Sequence, residues 1–225
     1  MKRSEINREI RLAEEFFASF SFRLPKFAAY TPEDWSKHGD EIKEIYDCEL
    51  GWDLTDFGRG NFRSEGLLLF TIRNGVSGST LYPKPYAEKI MISRSEQVTL
   101  MHCHEAKTED IINRGGGNLV FELFNRKGKT TELDRETPVE VSRDGELLTL
   151  APGSKLIISP GESITLKPDV FHKFYAEKGG DVMIGEVSAV NDDHNDNVFH
   201  EPQLRFPVIE EDEAPYRLLV SDYRK

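Results

Sequence analysis

Apolar residues recur through the first twenty positions at alternating spacings of four and three: Ile6, Ile10, Ala13, Phe17 and Phe20. That is the period of one helical face, with Glu5, Arg8, Glu9, Arg11 and Glu15 turned to water. Ser4 is the expected N-cap. Pro25 ends the stretch that follows. Thr31-Pro32-Glu33-Asp34 predicts a second helix start, with Thr as cap, Pro at the first helical position and acids at the positive end. Residues 40–47 predict one more short helical turn. After Gly51 the helical period disappears and glycines punctuate the chain at 58, 60, 66, 75 and 78. Leu67–Arg73 reads as an apolar strand followed by the hairpin signal Asn74-Gly75. Further strands are expected within 81–92, at 97–104 and 118–125, at 137–142 before the turn Arg143-Asp144-Gly145, and at 155–159, 163–166, 171–176 and 181–187. Short strands at this spacing predict a sandwich or barrel. No repeat or linker divides the chain, so the helices of about residues 1–50 are expected to pack on the outside of a single domain.

Composition narrows the partners. Lysine and arginine number 29 against 40 acids, a net charge of −11. Such a surface repels phosphate backbones and anionic membranes, so neither nucleic acid nor membrane is an expected partner. A small neutral ligand is not excluded. The 14 Phe, 7 Tyr and 2 Trp argue against disorder. Two cysteines, Cys48 and Cys103, form no disulfide framework. With no apolar run of signal-peptide or membrane-spanning length, a cytoplasmic protein is expected. The acidic run Glu210-Glu211-Asp212-Glu213 reads as a solvated loop.

The chemistry concentrates around His102-Cys103-His104. Alternation in a strand puts residues i and i+2 on one face, so both imidazoles can reach one point and Cys103 points away. Glu109 follows at a distance from which a short bend can return its carboxylate. A tight glycine turn comes next, Asn113-Arg114-Gly115-Gly116-Gly117, and His172 lies on a later strand. Three imidazoles and a carboxylate suit Mn, Fe, Co, Ni or Zn with positions left open for water and substrate. His38, His194 and His200 sit in polar stretches and are expected outside the metal set.

His102-x-His104-x4-Glu109-x5-Gly115 resembles the first cupin motif, and Pro160-Gly161-Glu162-Ser163 through Pro168 to His172 resembles the second. The second departs from the pattern at Val170, where glycine is usual. The longer stretch from His102 to Leu119, together with Glu186-Val-Ser-x-x-Asn191-Asp192-Asp193-His194-x-Asp196-Asn197, Arg205-Phe206-Pro207, the acidic tail and the opening residues 1–20, resembles the D-lyxose ketol-isomerase family over essentially the whole chain. The resemblance implies an all-β, cupin-type jelly-roll barrel with N-terminal helices packed outside. It also implies a Mn²⁺-dependent aldose–ketose isomerase interconverting D-lyxose and D-xylulose, with D-mannose and D-fructose as a slower pair. A homodimer is expected, since cupins commonly pair through sheet edges.

Under that resemblance, His102, His104, Glu109 and His172 hold the metal. Lys107, in the bend beside it, steadies a sugar oxygen. Glu201, in a segment able to fold over the barrel mouth, is the expected base moving the carbon-bound proton through a cis-enediol. Glu186 on a strand is its rival, a buried carboxylate that needs a partner. Lys89, Arg205 and Glu186 are the expected contacts for the sugar hydroxyls. The alternatives are another cupin metalloenzyme, phosphoglucose isomerase-like or a dioxygenase, and a cupin that binds sugar without turnover.

Overall fold

The structure, a computed structural model, describes residues 1–223. Three α-helices come first: α1 (Arg3–Ser19), α2 (Pro32–Trp35) and α3 (Lys43–Asp47). Fourteen strands follow: β1 (Gly51–Thr55), β2 (Leu67–Arg73), β3 (Tyr86–Ser93), β4 (Val98–His104), β5 (Glu109–Gly116), β6 (Leu119–Arg126), β7 (Leu133–Asp134), β8 (Val139–Arg143), β9 (Glu146–Leu150), β10 (Lys155–Ile158), β11 (Ser163–Leu166), β12 (Val170–Ala176), β13 (Val182–Ala189) and β14 (Asn197–Phe199). They build two antiparallel sheets, ordered β1-β2-β3-β13-β5-β11-β8-β9 and β10-β6-β12-β4-β14. The architecture is the expected all-β cupin-type barrel with helices outside. Short β1 and β14, which flank the site, lie in stretches whose polar and glycine content hid them from the strand pattern.

Alternation along β2 and β3 sorts their apolar residues onto two cores. Leu69 and Met91 face the interior between the sheets, with Ile111, Phe121, Phe174 and Ile184. Leu68, Phe70, Ile90 and Ile92 face outward, where α1 covers them with Ile6, Ile10, Ala13 and Phe17. Burial on both faces is why β2 reads as an unbroken apolar run rather than an alternating one. Burying side chains of this size contributes about 1.5–3 kcal/mol each.

The entry into α1 differs from the sequence expectation. Lys2, not Ser4, is the N-cap. Ser4 sits in the first turn, donating its backbone N–H and its hydroxyl to Asp212 at 2.9 and 2.6 Å. Asn7 donates to Glu213, and Arg3 forks onto Glu211 and Asp222. The acidic run is therefore more than a solvated loop. Its carboxylates meet the positive end of α1, where helix N–H groups lack partners.

Two irregularities aim the site. Phe174 pairs with Thr99 and His172 with His102, so β4 advances three residues against two of β12. This bulge at Leu100–Met101 resets the alternation so that Thr99, His102 and His104 share the inner face. In β5, Ile184 pairs with Asn113 but Met183 with Gly115, leaving Arg114 as the extra residue. Gly116 there has φ +101°, and a Cβ on it would lie 2.1 Å from the Asp181 carbonyl oxygen. Only glycine fits that approach.

Candidate metal centre

His102 and His104 on β4, Glu109 at the start of β5 and His172 on β12 converge between the two sheets. Ring nitrogens of the three histidines all lie within 4.8 Å of one another. Glu109 Oε1 stands 3.3 Å from His104 Nε2 and 3.2 Å from His172 Nε2. Ligands at about 2.1 Å from one ion are separated by distances of this order.

The tautomers follow from the outer partners. His102 Nδ1 is 2.7 Å from the Leu100 carbonyl oxygen, and His172 Nδ1 is 3.0 Å from that of Val170. A carbonyl only accepts, so both Nδ1 atoms carry the proton and both Nε2 atoms present a lone pair. His172 Nε2, His104 Nε2 and Glu109 Oε1 are buried with no hydrogen-bond partner. Buried polar atoms left unpaired are costly. A divalent cation would satisfy these three together, and the donor set fits one. Burial, with His172 and His104 as neighbours, holds His102 well below the ordinary histidine range. Burial alone would raise Glu109, but Lys107 and His104 outweigh it and hold the carboxyl well below its usual range.

Around this cluster lies a buried charge network. Lys107 Nζ stands between Glu109 Oε2 at 2.8 Å and Glu186 Oε1 at 3.0 Å. Burial works against its charge, but the two carboxylates prevail and raise its pKa, so the ammonium persists. Glu186 on β13 pairs in register with Lys89 on β3, and the side-chain charges are 3.5 Å apart. Burial opposes ionisation of Glu186, yet Lys107 and Lys89 hold it below the usual value. Arg205 spans Asp53 at 2.7 Å and Asp193 at 2.9 Å. Lys89, Lys107, Glu109, Glu186, Asp193 and Arg205 line one cavity with the three histidines.

Of the expected residues, Glu201 is the one not brought to this cavity. Its side chain is 68% exposed and pairs with Arg59 at 3.0 Å. It borders a separate groove on the other side of β4. Phe199, the last residue of β14, still lines the cavity beside His102, but His200 and Glu201 border the separate groove instead of folding over the mouth. Lys89 and Glu186, by contrast, are interior residues, their side chains 4 and 5% exposed. The sequence reading assigned no role to Asp53, Asp193 or Asp196. Asp193 and Asp196 lie in the 186–197 stretch that carries the family resemblance, but neither that stretch nor its density of Asn and Asp says which acid turns inward. His38 and His194 pair with Glu41 and Glu49, and His200 with the Thr131 carbonyl, all apart from the cluster.

Residues 1–223 match the D-lyxose isomerase family. The D-lyxose/D-mannose isomerase of Serratia proteamaculans is 50% identical over 225 residues, covering 99% of this chain and 98% of that protein. Its counterpart from Escherichia coli O157:H7 is 47% identical over 227 aligned positions, covering 100% and 99%. Among solved structures, the Cellulomonas parahominis L-ribose isomerase with L-psicose superposes with a TM-score of 0.58 at 13% identity, over 93% of this chain and 98% of that one. The Geodermatophilus obscurus L-ribose isomerase gives 0.57 at 14%, over the same shares. At these identities the likeness to the L-ribose isomerases is one of fold.

Proposed function

Because this chain belongs to the D-lyxose isomerase family, and so is an aldose–ketose isomerase, we propose that it interconverts D-lyxose and D-xylulose. D-mannose and D-fructose are the secondary pair, and a divalent ion, Mn²⁺, is held by His102, His104, Glu109 and His172. The observation that carries this reading is the Lys107 ammonium fixed between Glu109 and Glu186, beside imidazole nitrogens that have no other partner. When bound, the ion supplies Lewis-acid polarisation of the sugar carbonyl.

The side chains divide the remaining work by charge. Glu186, ionised by its two lysine neighbours, accepts the proton from C2 of the open-chain aldose. The electron pair of that C–H bond becomes the C1–C2 double bond of a cis-enediol, and the carbonyl oxygen takes up negative charge. Lys107 remains an ammonium and so acts as a donor to that oxygen rather than as a base. Glu186, its acid proton exchanging in part with water, then protonates C1 while the proton of the O2 hydroxyl passes to O1, and the ketose carbonyl forms at C2. Lys89 and Arg205 offer donors to the other hydroxyls. Replacing Glu201 by Glu186 as the base follows from burial and distance.

The test is direct. Protein reconstituted with Mn²⁺ is incubated with D-lyxose in heavy water. D-xylulose should appear with deuterium at C1. Ketose without deuterium at any conversion would favour a hydride shift or a base fully shielded from water, and no ketose from D-lyxose or D-mannose would overturn the assignment. The same reading includes a cytoplasmic homodimer. Its support is the pair of buried free thiols, Cys48 and Cys103, and the exposed Leu147 and Ile157 on edge strands β9 and β10. Among the described residues, no helix is long and apolar enough to cross a membrane. Sedimentation as a monomer at assay concentration would remove the dimer.

A further inference from the structure

The three imidazoles are not supported alike. His102 and His172 each donate Nδ1–H to a carbonyl two residues back on their own strand. His104 has no such acceptor. Its Nδ1 is buried and without a hydrogen bond, and the group facing it is Asp196 Oδ2 at 3.4 Å, itself buried and without one.

Asp196 is fixed from outside the ring. It directly precedes β14, whose Asn197 pairs with His104 across the sheet. Its carbonyl accepts from the Glu105 N–H at 3.0 Å, and its Oδ1 accepts from the Ala106 N–H at 2.8 Å. One carboxylate oxygen thus ties down the 105–106 bend that carries Lys107, while the other looks at His104. We propose that Asp196 is a positioning residue for the metal centre: its Oδ2 takes the Nδ1–H of His104, fixing the tautomer and making this imidazole a stronger Nε2 donor than the two held by carbonyls. The role rests on the metal-centre reading above. At 3.4 Å the two atoms stand just beyond ordinary hydrogen-bond length. A carboxylate behind a ligating histidine raises its basicity, and losing such a partner typically costs 10–100-fold in metal affinity.

Asp196→Asn separates this role from a structural one. The amide oxygen still accepts from Ala106, but an NH₂ group now meets the Nδ1–H of His104, donor against donor. Full-length protein is stripped with a chelator, and Mn²⁺ and Zn²⁺ affinities are read by competition with a chromophoric chelator. The expected result is a loss of about 10–100-fold for D196N, with the stripped protein melting within about 3 °C of wild type. Asp196→Glu should recover part of that loss. In a His104→Gln background D196N should cost nothing further, because the ring it orients is gone. The proposal is overturned by an affinity within about twofold of wild type, by losses that add in the double variant, or by a D196N chain that fails to fold. If wild type itself binds neither ion, the metal centre fails and this role with it. Tight binding by wild type and D196N alike refutes the role alone.

Discussion

Glu186→Gln against Glu201→Gln decides which carboxylate moves the carbon-bound proton. The amide at 186 keeps the shape of the side chain but cannot take a proton. A positioned base contributes about 10²–10⁴-fold, so kcat should fall by that factor, about 2.7–5.5 kcal/mol of lost transition-state stabilisation. The structural cost should be smaller. Lys107 keeps Glu109 at 2.8 Å, and Lys89 keeps its bond to Asn191, so neither buried cation is stranded. A loss of about 1–2 kcal/mol is expected, against the 3–5 kcal/mol of a buried charge left alone. At 201 an exposed pair with Arg59 is worth no more than about 1 kcal/mol, and kcat should stay near wild type. The assay is steady-state turnover of D-lyxose with Mn²⁺ content and melting temperature measured on the same samples. E186Q turnover within threefold of wild type at full metal content would refute the assignment. A 100-fold loss in E201Q would restore Glu201.

Alanine at His102, His104, Glu109 or His172 should each abolish stoichiometric Mn²⁺ by elemental analysis; full metal content and activity in H172A would put the centre elsewhere. Lys107→Met leaves Glu109 and Glu186 facing each other in the interior without their shared cation. It should destabilise the metal-free protein by about 3–5 kcal/mol in urea titrations, and an unchanged midpoint would contradict the pairing. Asp193 tests the acid limb. Burial would raise its pKa, but Arg205, Lys89 and Lys107 outweigh it and hold the folded-state value well below the usual one. A depressed folded pKa gives stability that is present above the unfolded value of about 3.9 and lost as pH falls through the folded value. Asp193→Asn should therefore be less stable than wild type near neutrality, and the gap should close as the pH falls below about 4. A gap independent of pH would show that this carboxylate is not held ionised by its neighbours.

What the sequence made legible divides by range of interaction. The period of α1, the two-faced apolar run of β2 and the same-side placement of His102 and His104 follow from local geometry. Which of several polar-loop acids turns inward does not. Asp196 and Glu201 both sit in polar segments, on either side of the apolar pair Val198-Phe199. They are separated by tertiary facts: Asp196 meets Ala106 across the β4–β14 pair, whereas Glu201 has already passed the sheet edge and meets Arg59. The bulge at Leu100–Met101 is equally silent, since both residues are apolar and either alternation fits them. Likewise, Ser4 is an ordinary cap signal, and only the return of the C-terminal acids to α1 shows why the helix begins earlier.

The charges around the cavity explain why such a centre can exist without being the staple of the fold. Lys89, Lys107 and Arg205 carry +3, and Asp53, Glu109, Glu186 and Asp193 carry −4, a net of −1 with neutral imidazoles. Each of these acids has a cation within 3.5 Å without any metal. Desolvating so many charges costs several kcal/mol per ion unless each is paired, and here each is. The apolar cores on either side of the eight-stranded sheet, not the ion, then hold the barrel together. Among the buried side-chain atoms of the described residues that have no hydrogen bond, three converge on one point: His104 Nε2, His172 Nε2 and Glu109 Oε1. His104 Nδ1 and Asp196 Oδ2 face each other behind that point. A dication there takes the net charge from −1 to +1, next to an ammonium that cannot leave. Negative charge developing on a sugar oxygen would meet both. That asymmetry, paired charges around a few converging donors without partners, suits the proposed catalytic metal position, which keeps a place open for substrate.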